Sequence, residues 1–129
     1  MKYMLDTSVC VSLIRGRASA ASLPAASDCV LSTITVAELE VGVRRSVRPA
    51  AQRKAVDVFT EIFEVLAWDL QAASYYGDLR VDLEKRGIVI GPLDMLIAAH
   101  ALQLGATLVT TNFREFRRVA DLQCLDWKQ

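Results

Sequence analysis

Residues 91–116 read GPLDMLIAAHALQLGATLVTTNFREF, and this stretch decides the predicted fold. Pro92 suits the first position of a helix and Gly105 suits its left-handed end, so the pattern predicts a helix over 92–104. A short apolar strand is predicted over 107–110, and a polar Thr-Thr-Asn turn then leads into a short helix. The stretch therefore reads as helix, strand and helix in close succession.

The rest of the chain repeats this alternation of short apolar strands with helices. The other predicted strands cover 2–6, 29–34, 65–68 and 122–125. The other predicted helices cover 7–15, 36–47 and 50–63, with a short helical turn over 18–23 and a helix between the cap Asp69 and the stop Gly87. Near-continuous apolar strands between helices are typical of a parallel sheet covered on both faces. We predict an α/β fold, a three-layer α/β/α domain with a four- or five-stranded parallel sheet.

Length and composition restrict the class of protein. The 129 residues, 53% hydrophobic and 23% charged, predict one compact domain over 1–129. No apolar run approaches the roughly 18 residues that span a bilayer, and no signal-peptide pattern is present, so we expect a cytoplasmic protein. Three dispersed cysteines and one histidine argue against a disulfide framework or a structural zinc site.

The formal net charge of zero does not by itself indicate a nucleic-acid binder. If four acids bound metal, however, the basic groups would outnumber the remaining acids.

Four acids are predicted to lie on one edge of the sheet. Asp6 ends the first strand, and Glu38 lies in the helix that follows the second strand. Asp94 begins the helix that leads into the strand over 107–110, and Glu115 follows that strand. Because strand-to-helix turns of a parallel sheet share one edge, all four carboxylates can face the same cleft.

Each acid alone is explained by helix capping. Asp6 would cap the first helix, and Asp94 in a first turn is stabilised by the helix dipole. The capping-box spacing is matched twice, by Thr35 with Glu38 and by Asn112 with Glu115. Capping does not require convergence, so a common edge favours a shared function.

Converging carboxylates raise one another's pKa values unless cations lie between them. Oxygen ligands without histidine or cysteine partners suit Mg²⁺, with Mn²⁺ as a possible substitute. Such sites serve phosphodiester chemistry, in which the cation activates a water and stabilises the leaving oxygen. We therefore predict that Asp6, Glu38 and Asp94 converge within reach of a common metal, whereas Glu115 can stand slightly apart.

Helical geometry separates these acids from their neighbours. Glu40 lies about 200° around the helix from Glu38 and borders the valine side, so we select Glu38 as the member of the site. His100 is displaced from Asp94 toward the leucine side of its helix. We predict that His100 is a packed helix residue and not a general base.

Two further sets of residues lie near the predicted edge. Neutral polar groups that can position a phosphate or a water, or serve only as turn and cap residues, are Thr7, Ser8, Thr110, Thr111 and Asn112. Arginine runs usually form a solvated face, but beside a cleft of carboxylates and metal they become candidate RNA contacts, here Arg44, Arg45 and Arg114.

Four motifs resemble the PIN-domain ribonucleases, specifically the VapC toxins of bacterial toxin-antitoxin pairs. They are MLDTSV, STITVAELEVGV, IGPLDMLIAAHAL and TLVTTNFREF, and the match that rests on them covers nearly the full length of the chain. The resemblance implies a PIN-like fold, Mg²⁺-dependent endoribonuclease activity, and metal-ligand or catalytic roles for Asp6, Glu38, Asp94 and Glu115. Glu38 is selected again, because it heads an E-L-x-x-G pattern completed by Gly42.

The GP pair before Asp94, His100 and the REF segment look most like the enteric VapC subgroup. That resemblance implies a structured RNA substrate, with the anticodon region of initiator tRNA as the specific expectation. It also implies a homodimer held inactive by a VapB-like antitoxin, which alone binds operator DNA.

Two other functions stay open. An aspartyl phosphatase or phosphotransferase would use Asp6 as its nucleophile, but that chemistry commonly has a second aspartate where this chain has Ser8. A non-catalytic PIN-like module would bind RNA or an antitoxin without cutting.

Overall fold

A computed structural model describes residues 1–17 and 20–127 of the chain. Its strands are β1 (Tyr3–Leu5), β2 (Cys29–Ser32), β3 (Glu64–Leu66), β4 (Thr107–Thr110) and β5 (Cys124–Asp126). They form one five-stranded sheet in the order β3-β2-β1-β4-β5, and each neighbouring pair is parallel. The predicted α/β class and parallel sheet are confirmed.

The helices are α1 (Thr7–Ile14), α2 (Thr33–Arg45), α3 (Pro49–Ile62), α4 (Leu70–Lys85), α5 (Pro92–Leu104) and α6 (Phe113–Phe116). Ala20–Ser22 and Ala26–Asp28 form 3₁₀ turns. Of the helical turn predicted over 18–23, positions 18–19 lie outside the described residues. Within the described part of the chain, no helix is long and apolar enough to cross a membrane.

The inner strands β1, β2 and β4 bury both of their faces, which produces the three layers. Met4 of β1 and Leu108 of β4 belong to a core with α4, α5 and α6, whereas Leu5 and Val109 belong to a core with α1, α2 and α3. This division follows from the alternation of successive side chains along a strand. All four side chains are 0% exposed, so the central strands form the most buried part of the fold.

Residues with strong backbone or capping preferences determine the ends of two long helices. Helix α5 begins at Pro92 and ends before Gly105, whose φ of 65° lies in the left-handed region. Helix α4 is capped by Asp69, which accepts a hydrogen bond from the Ala72 N–H at 3.0 Å. The predicted helix over 92–104 and the predicted cap at Asp69 are confirmed.

The strand predicted over 29–34 is too long. Ser32 ends β2 and caps α2, because its hydroxyl oxygen accepts a hydrogen bond from the Ile34 N–H at 3.1 Å. Thr35 therefore lies inside α2, and the predicted capping box of Thr35 with Glu38 is wrong. The strands predicted over 65–68 and 122–125 are shifted by one or two residues from β3 and β5.

His100 links α5 to the start of α2. Its side chain is 1% exposed, and Nδ1 lies 2.8 Å from the Ser32 hydroxyl oxygen. Because that oxygen already accepts from Ile34, its own hydrogen can be donated to Nδ1 of a neutral imidazole. Burial lowers the pKa of His100, which favours this neutral form. The prediction of a packed histidine agrees with this environment.

Trp68 provides a second link between the same elements. Its indole N–H donates to the carbonyl of Leu96 in α5 at 2.9 Å. Its backbone N–H donates to the hydroxyl of Thr33, the first residue of α2, at 3.1 Å. The helices that carry Asp94 and Glu38 are thereby held in a fixed relation.

We expect His100→Ala to lower the free energy of unfolding by about 2–4 kcal/mol. The substitution removes buried volume and leaves the Ser32 hydroxyl without its acceptor, a loss of about 1–3 kcal/mol by itself. Urea denaturation monitored by circular dichroism measures the change. His100→Asn, whose amide oxygen can accept the same hydrogen bond, should recover part of it. Equal midpoints for His100→Ala and the unmodified chain would contradict the proposed link.

Candidate active site

The site begins at the point where the strand order reverses. From β1 the chain continues to β2 on one side, while β4 lies on the other side of β1. Leu5 of β1 is paired in register with Val109 of β4, so Asp6 and Thr110 emerge side by side. In open parallel sheets, ligand sites lie at such a switch point, outside the carboxyl ends of the strands.

Asp6 is buried here and accepts three hydrogen bonds. Its carboxylate accepts from the Ser8 hydroxyl at 2.6 Å, from the Val9 N–H at 3.0 Å and from the Thr110 hydroxyl at 2.5 Å. Burial raises the pKa of Asp6, and these hydrogen bonds partly oppose that rise. The predicted N-cap is confirmed, and the residue is only 2% exposed.

The polar turn after β4 supports this arrangement. The Thr111 N–H donates to the Ser8 hydroxyl oxygen at 3.2 Å, and the Asn112 N–H donates to the Thr110 hydroxyl oxygen at 2.8 Å. Thr111 and Asn112 thus contribute backbone groups to the network around Asp6. Ser8 and Thr110 contribute hydroxyls that contact the carboxylate directly.

Glu38 is joined to α1 through Thr7. The Thr7 hydroxyl donates to the Glu38 carboxylate at 2.7 Å and lies 3.3 Å from the Thr35 hydroxyl. Sequence reasoning treated Thr35 as a cap and missed this contact. Its position three residues before Glu38, on the same helix face, was the available signal.

Glu40 points to a different set of partners. It pairs with Arg44 at 2.6 Å and with Arg53, and these guanidinium groups lower its pKa to about 2. The choice of Glu38 over Glu40 agrees with this geometry. Arg44, Arg45 and Arg114, the predicted RNA contacts, are all exposed, but the guanidinium of Arg44 is engaged by Glu40.

Asp94 lies in the first turn of α5 and is electrostatically coupled to the other three acids. Its pKa is raised to about 7, first by burial and then by the charges of Glu115, Asp6 and Glu38. The Asp94 carboxyl also shares a hydrogen bond with Glu115. Asp6, Glu38 and Glu115 are therefore close enough to Asp94 to oppose its ionisation.

Glu115 is held by the chain segment before α5. Its carboxylate accepts a hydrogen bond from the Gly91 N–H at 3.2 Å. The predicted capping box with Asn112 is wrong, because the side chain of Asn112 makes no capping bond and the donor that Glu115 uses is 24 residues away. Glu115 thus completes the edge next to Asp94.

No lysine, arginine or histidine among the described residues forms an ion pair with Asp6, Glu38, Asp94 or Glu115. An all-oxygen donor set with unbalanced negative charge suits a hard divalent cation. Over residues 1–17 and 20–127, however, no three His, Cys, Asp or Glu side chains are arranged to hold a metal ion, so the ligand roles stay a prediction.

The chain is thus a three-layer α/β/α domain with a parallel sheet, and it has a cluster of acids at the switch point of that sheet. The chain belongs to the PIN-domain family, whose model matches residues 3–122. The resemblance drawn from the four motifs is thereby confirmed.

Similar proteins extend the match over almost the whole chain. The chain is 37% identical to Ribonuclease VapC2 of Rickettsia felis and 36% identical to the tRNA(fMet)-specific endonuclease VapC of Salmonella typhimurium. Each alignment covers 98% of this chain and 98% of the relative. Among solved structures, VapBC2 from Rickettsia felis bound to a promoter DNA fragment superposes with a TM-score of 0.93 at 36% identity, covering 99% of this chain and 100% of that one. DNA-bound VapBC from Salmonella typhimurium gives 0.94 at 35% identity, covering 99% of each.

We expect Asp94→Asn to stabilise the metal-free protein above pH 7. The pKa of about 7 in the folded chain exceeds the value of about 3.9 for unfolded aspartate, so the folded state binds more protons between those values. The free energy of unfolding of the unmodified chain therefore falls as the pH rises from about 4 to about 7. The amide removes the repelled charge, and we expect a gain of about 1–3 kcal/mol at pH 8 that shrinks toward pH 5.

Thermal unfolding in EDTA at both pH values measures this difference. Asp78→Asn, on the exposed side of α4, serves as the control and should change neither value. If Asp94→Asn were no more stable than the parent chain at pH 8, carboxylate repulsion would not govern the site.

Proposed function

We propose that this chain is a divalent-metal-dependent endoribonuclease and the toxin of a toxin-antitoxin pair. The observation that carries the proposal is the coupling of Asp94 to Asp6, Glu38 and Glu115 at the switch point of a PIN-domain sheet. Relatives aligned over nearly the full length are named ribonucleases and endonucleases, which supports the same reaction class.

Mg²⁺ is the proposed cofactor, with Mn²⁺ as a substitute, and Asp6, Glu38, Asp94 and Glu115 are the proposed ligands. PIN nucleases are generally dependent on divalent metals, and carboxylate oxygens are the ligands that such hard cations prefer. When bound, the cation would lower the pKa of the attacking water and stabilise charge on the departing 3′ oxygen.

The chain's own residues have distinct parts in this proposal. Ser8 and Thr110 orient the Asp6 carboxylate, and Thr7 orients Glu38, so two acids are fixed before any ligand arrives. Asp94 has a pKa of about 7 and is partly protonated at neutral pH, so the proton must leave as the cation binds. Affinity for the cation should therefore rise with pH through neutrality.

The proposed substrate is structured RNA, with the anticodon region of initiator tRNA as the specific target. Two relatives, from Salmonella typhimurium and Shigella flexneri, carry the name tRNA(fMet)-specific endonuclease, and they are 36% and 34% identical to this chain. The GP pair before Asp94, His100 and the REF segment support the same subgroup.

The proposed partner is a VapB-like antitoxin. The similar structures from Rickettsia felis and Salmonella typhimurium are VapBC complexes bound to DNA. We propose that two copies of this chain form a homodimer within such a complex, that the antitoxin tail enters the acidic cleft, and that operator DNA is bound through the antitoxin.

The residue two positions after Asp6 disfavours the phosphatase alternative. That chemistry commonly has a second aspartate there, whereas this chain has Ser8, whose hydroxyl donates a hydrogen bond to the Asp6 carboxylate at 2.6 Å. A non-catalytic binding module is the remaining rival, and the acid cluster counts against it because its repulsion has no use in a passive scaffold.

The test is the cleavage of purified RNA in Mg²⁺, with mapping of the new 5′ ends. We expect Asp6→Asn, Glu38→Gln and Asp94→Asn each to lose at least about 100-fold in rate, the upper range seen for groups that only support metal ligands. The matched control is Glu64→Gln, which removes an exposed acid of β3 that pairs with Lys2. This variant should retain full activity. Circular dichroism should show a folded chain for each variant.

Two outcomes would reject parts of this proposal. A variant that cuts at the parental rate and sites removes its residue from the mechanism. A parent chain that binds RNA but produces no new 5′ ends in Mg²⁺ or Mn²⁺ would favour the binding module.

A further inference from the structure

Three exposed arginines lie on the short helix α6 and the turn that continues it. They are Arg114, Arg117 and Arg118, which we call the α6 arginines. Residues three or four positions apart on a helical turn are neighbours, so these side chains share one side of it. The same segment is anchored in the core by Phe116, which is 0% exposed, and by Val119, which is 3% exposed. A well-packed part of the fold therefore carries this positive charge.

The chain itself joins these arginines to the acidic edge. Thr110, whose hydroxyl donates to the Asp6 carboxylate, lies four residues before Arg114. Arg114 directly precedes Glu115, whose charge opposes the ionisation of Asp94. The α6 arginines thus lie beside the acids at the carboxyl ends of the strands, on the side of the edge where Glu115 lies.

Two contacts from the segment between α4 and α5 fix the position of α6. Arg86, at the end of α4, donates to the carbonyl oxygen of Arg118 at 2.7 Å and pairs with Asp82 at 2.6 Å. The Gly91 N–H donates to the Glu115 carboxylate at 3.2 Å. The backbone that carries the α6 arginines is therefore held in place before any ligand binds.

The α6 arginines do not neutralise the acids beside them. None of the three forms an ion pair with another residue of the described part of the chain. Arg44 and Arg53, by contrast, both pair with Glu40. Like charges at spacings of three and four residues repel one another, so a bound anion would relieve an unfavourable interaction.

Position, and not the lack of a partner alone, distinguishes these arginines. Arg15, Arg17 and Arg48 are also exposed and form no ion pair with a residue that the structure describes. They lie at or beyond the ends of α1 and α2, which begin at the acidic edge and run away from it. At about 1.5 Å per residue, the helix α1 alone separates Arg15 from the edge by about 12 Å.

We propose that the α6 arginines bind the sugar-phosphate backbone of the RNA substrate on the Glu115 side of the cleaved bond. The inference deepens the proposed ribonuclease function and rests on it. A guanidinium fork matches phosphate oxygens in geometry and charge, and phosphate contacts set the register of a nucleic acid without reading its sequence. The α6 arginines therefore position the backbone, while the acids and their cation act on the bond. Their place beside a site for phosphodiester chemistry favours RNA over an acidic peptide.

The first test measures the binding of fluorescently labelled unfractionated tRNA to the full chain in EDTA, over a series of KCl concentrations. We expect Arg114→Gln/Arg117→Gln/Arg118→Gln, the glutamine variant, to weaken binding about 10-fold at low salt. Each lost phosphate contact should reduce the salt slope by about 0.7–0.9, so two or three lost contacts reduce it by about 1.4–2.7. Circular dichroism should show that the variant is folded.

The matched control is Arg15→Gln/Arg17→Gln/Arg48→Gln, which removes the same charge at the far ends of α1 and α2 and should retain the parental slope. Equal losses in the control and the glutamine variant would reduce the effect to net charge and overturn the proposal. An unchanged slope in the glutamine variant would overturn it as well.

A labelled decamer of glutamate tests the competing occupant. We expect its binding to be weak and to depend less on the α6 arginines than the binding of tRNA does. If only the peptide's binding depended on them, the α6 arginines would form a peptide site and the RNA proposal would be wrong.

A second test keeps the charge and changes the donor geometry. Arg114→Lys/Arg117→Lys/Arg118→Lys retains three positive charges but lacks the planar fork that binds a phosphate with two parallel hydrogen bonds. We expect a salt slope close to the parental one and a smaller loss of affinity than in the glutamine variant. A lysine variant with the slope of the glutamine variant would show that the arginines do not act by contacting phosphates.

Cleavage assays separate this inference from the function on which it rests. In Mg²⁺ we expect the glutamine variant to raise KM with little change in kcat, because backbone contacts are made equally before and during the reaction. The mapped cut sites should stay the same, since phosphate contacts carry no sequence information.

Two results distinguish the failures. If the parent chain cuts RNA and the glutamine variant cuts it with the same KM and salt dependence, the proposal for the α6 arginines fails alone. If the parent chain cuts no RNA, the ribonuclease proposal fails, and the salt slopes of binding still decide whether the α6 arginines hold a phosphate backbone.

Discussion

The hydrogen bonds to the Asp6 carboxylate are the constraint on which the rest of the structure depends. A carboxylate at 2% exposure is costly unless its oxygens have donors, and Ser8, Val9 and Thr110 supply them. These donors come from the first turn of α1 and the last residue of β4. One side chain thereby fixes the start of a helix, the end of a neighbouring strand and the switch point between them.

The two halves of the acidic edge are stabilised in different ways. Hydroxyls hold Asp6 and Glu38, whereas Asp94 and Glu115 face each other and raise the pKa of Asp94. The repulsion at Asp94 is offset by the packing of its own helix, α5, in the core. Ile97 is among several residues of this helix that are 0% exposed. A rigid helix thus holds a carboxylate where the charge is unfavourable, as expected for a site prepared for a cation.

The sequence predicted best what local backbone chemistry controls. Pro92 and Gly105 bound α5 because each has a conformational preference that few other residues share. The end of β2 was missed because the Thr-Ile-Thr-Val run after Ser32 favours a strand, whereas the Ser32 cap begins a helix. The partner of Glu115 was missed because Gly91 lies 24 residues away, and capping rules consider only neighbours in sequence.

The zero net charge also shows why a sum over the chain is a poor guide to nucleic-acid binding. Acids collect at the switch point, several arginines are engaged by Glu40 and Asp82, and the α6 arginines are unpaired among the described residues. Under the proposed function, the acidic edge repels phosphate until a cation neutralises it. Cation and RNA should therefore strengthen each other's binding, since thermodynamic coupling between two ligands is reciprocal. The local distribution of charge, and not its total, decides whether such a chain can bind RNA.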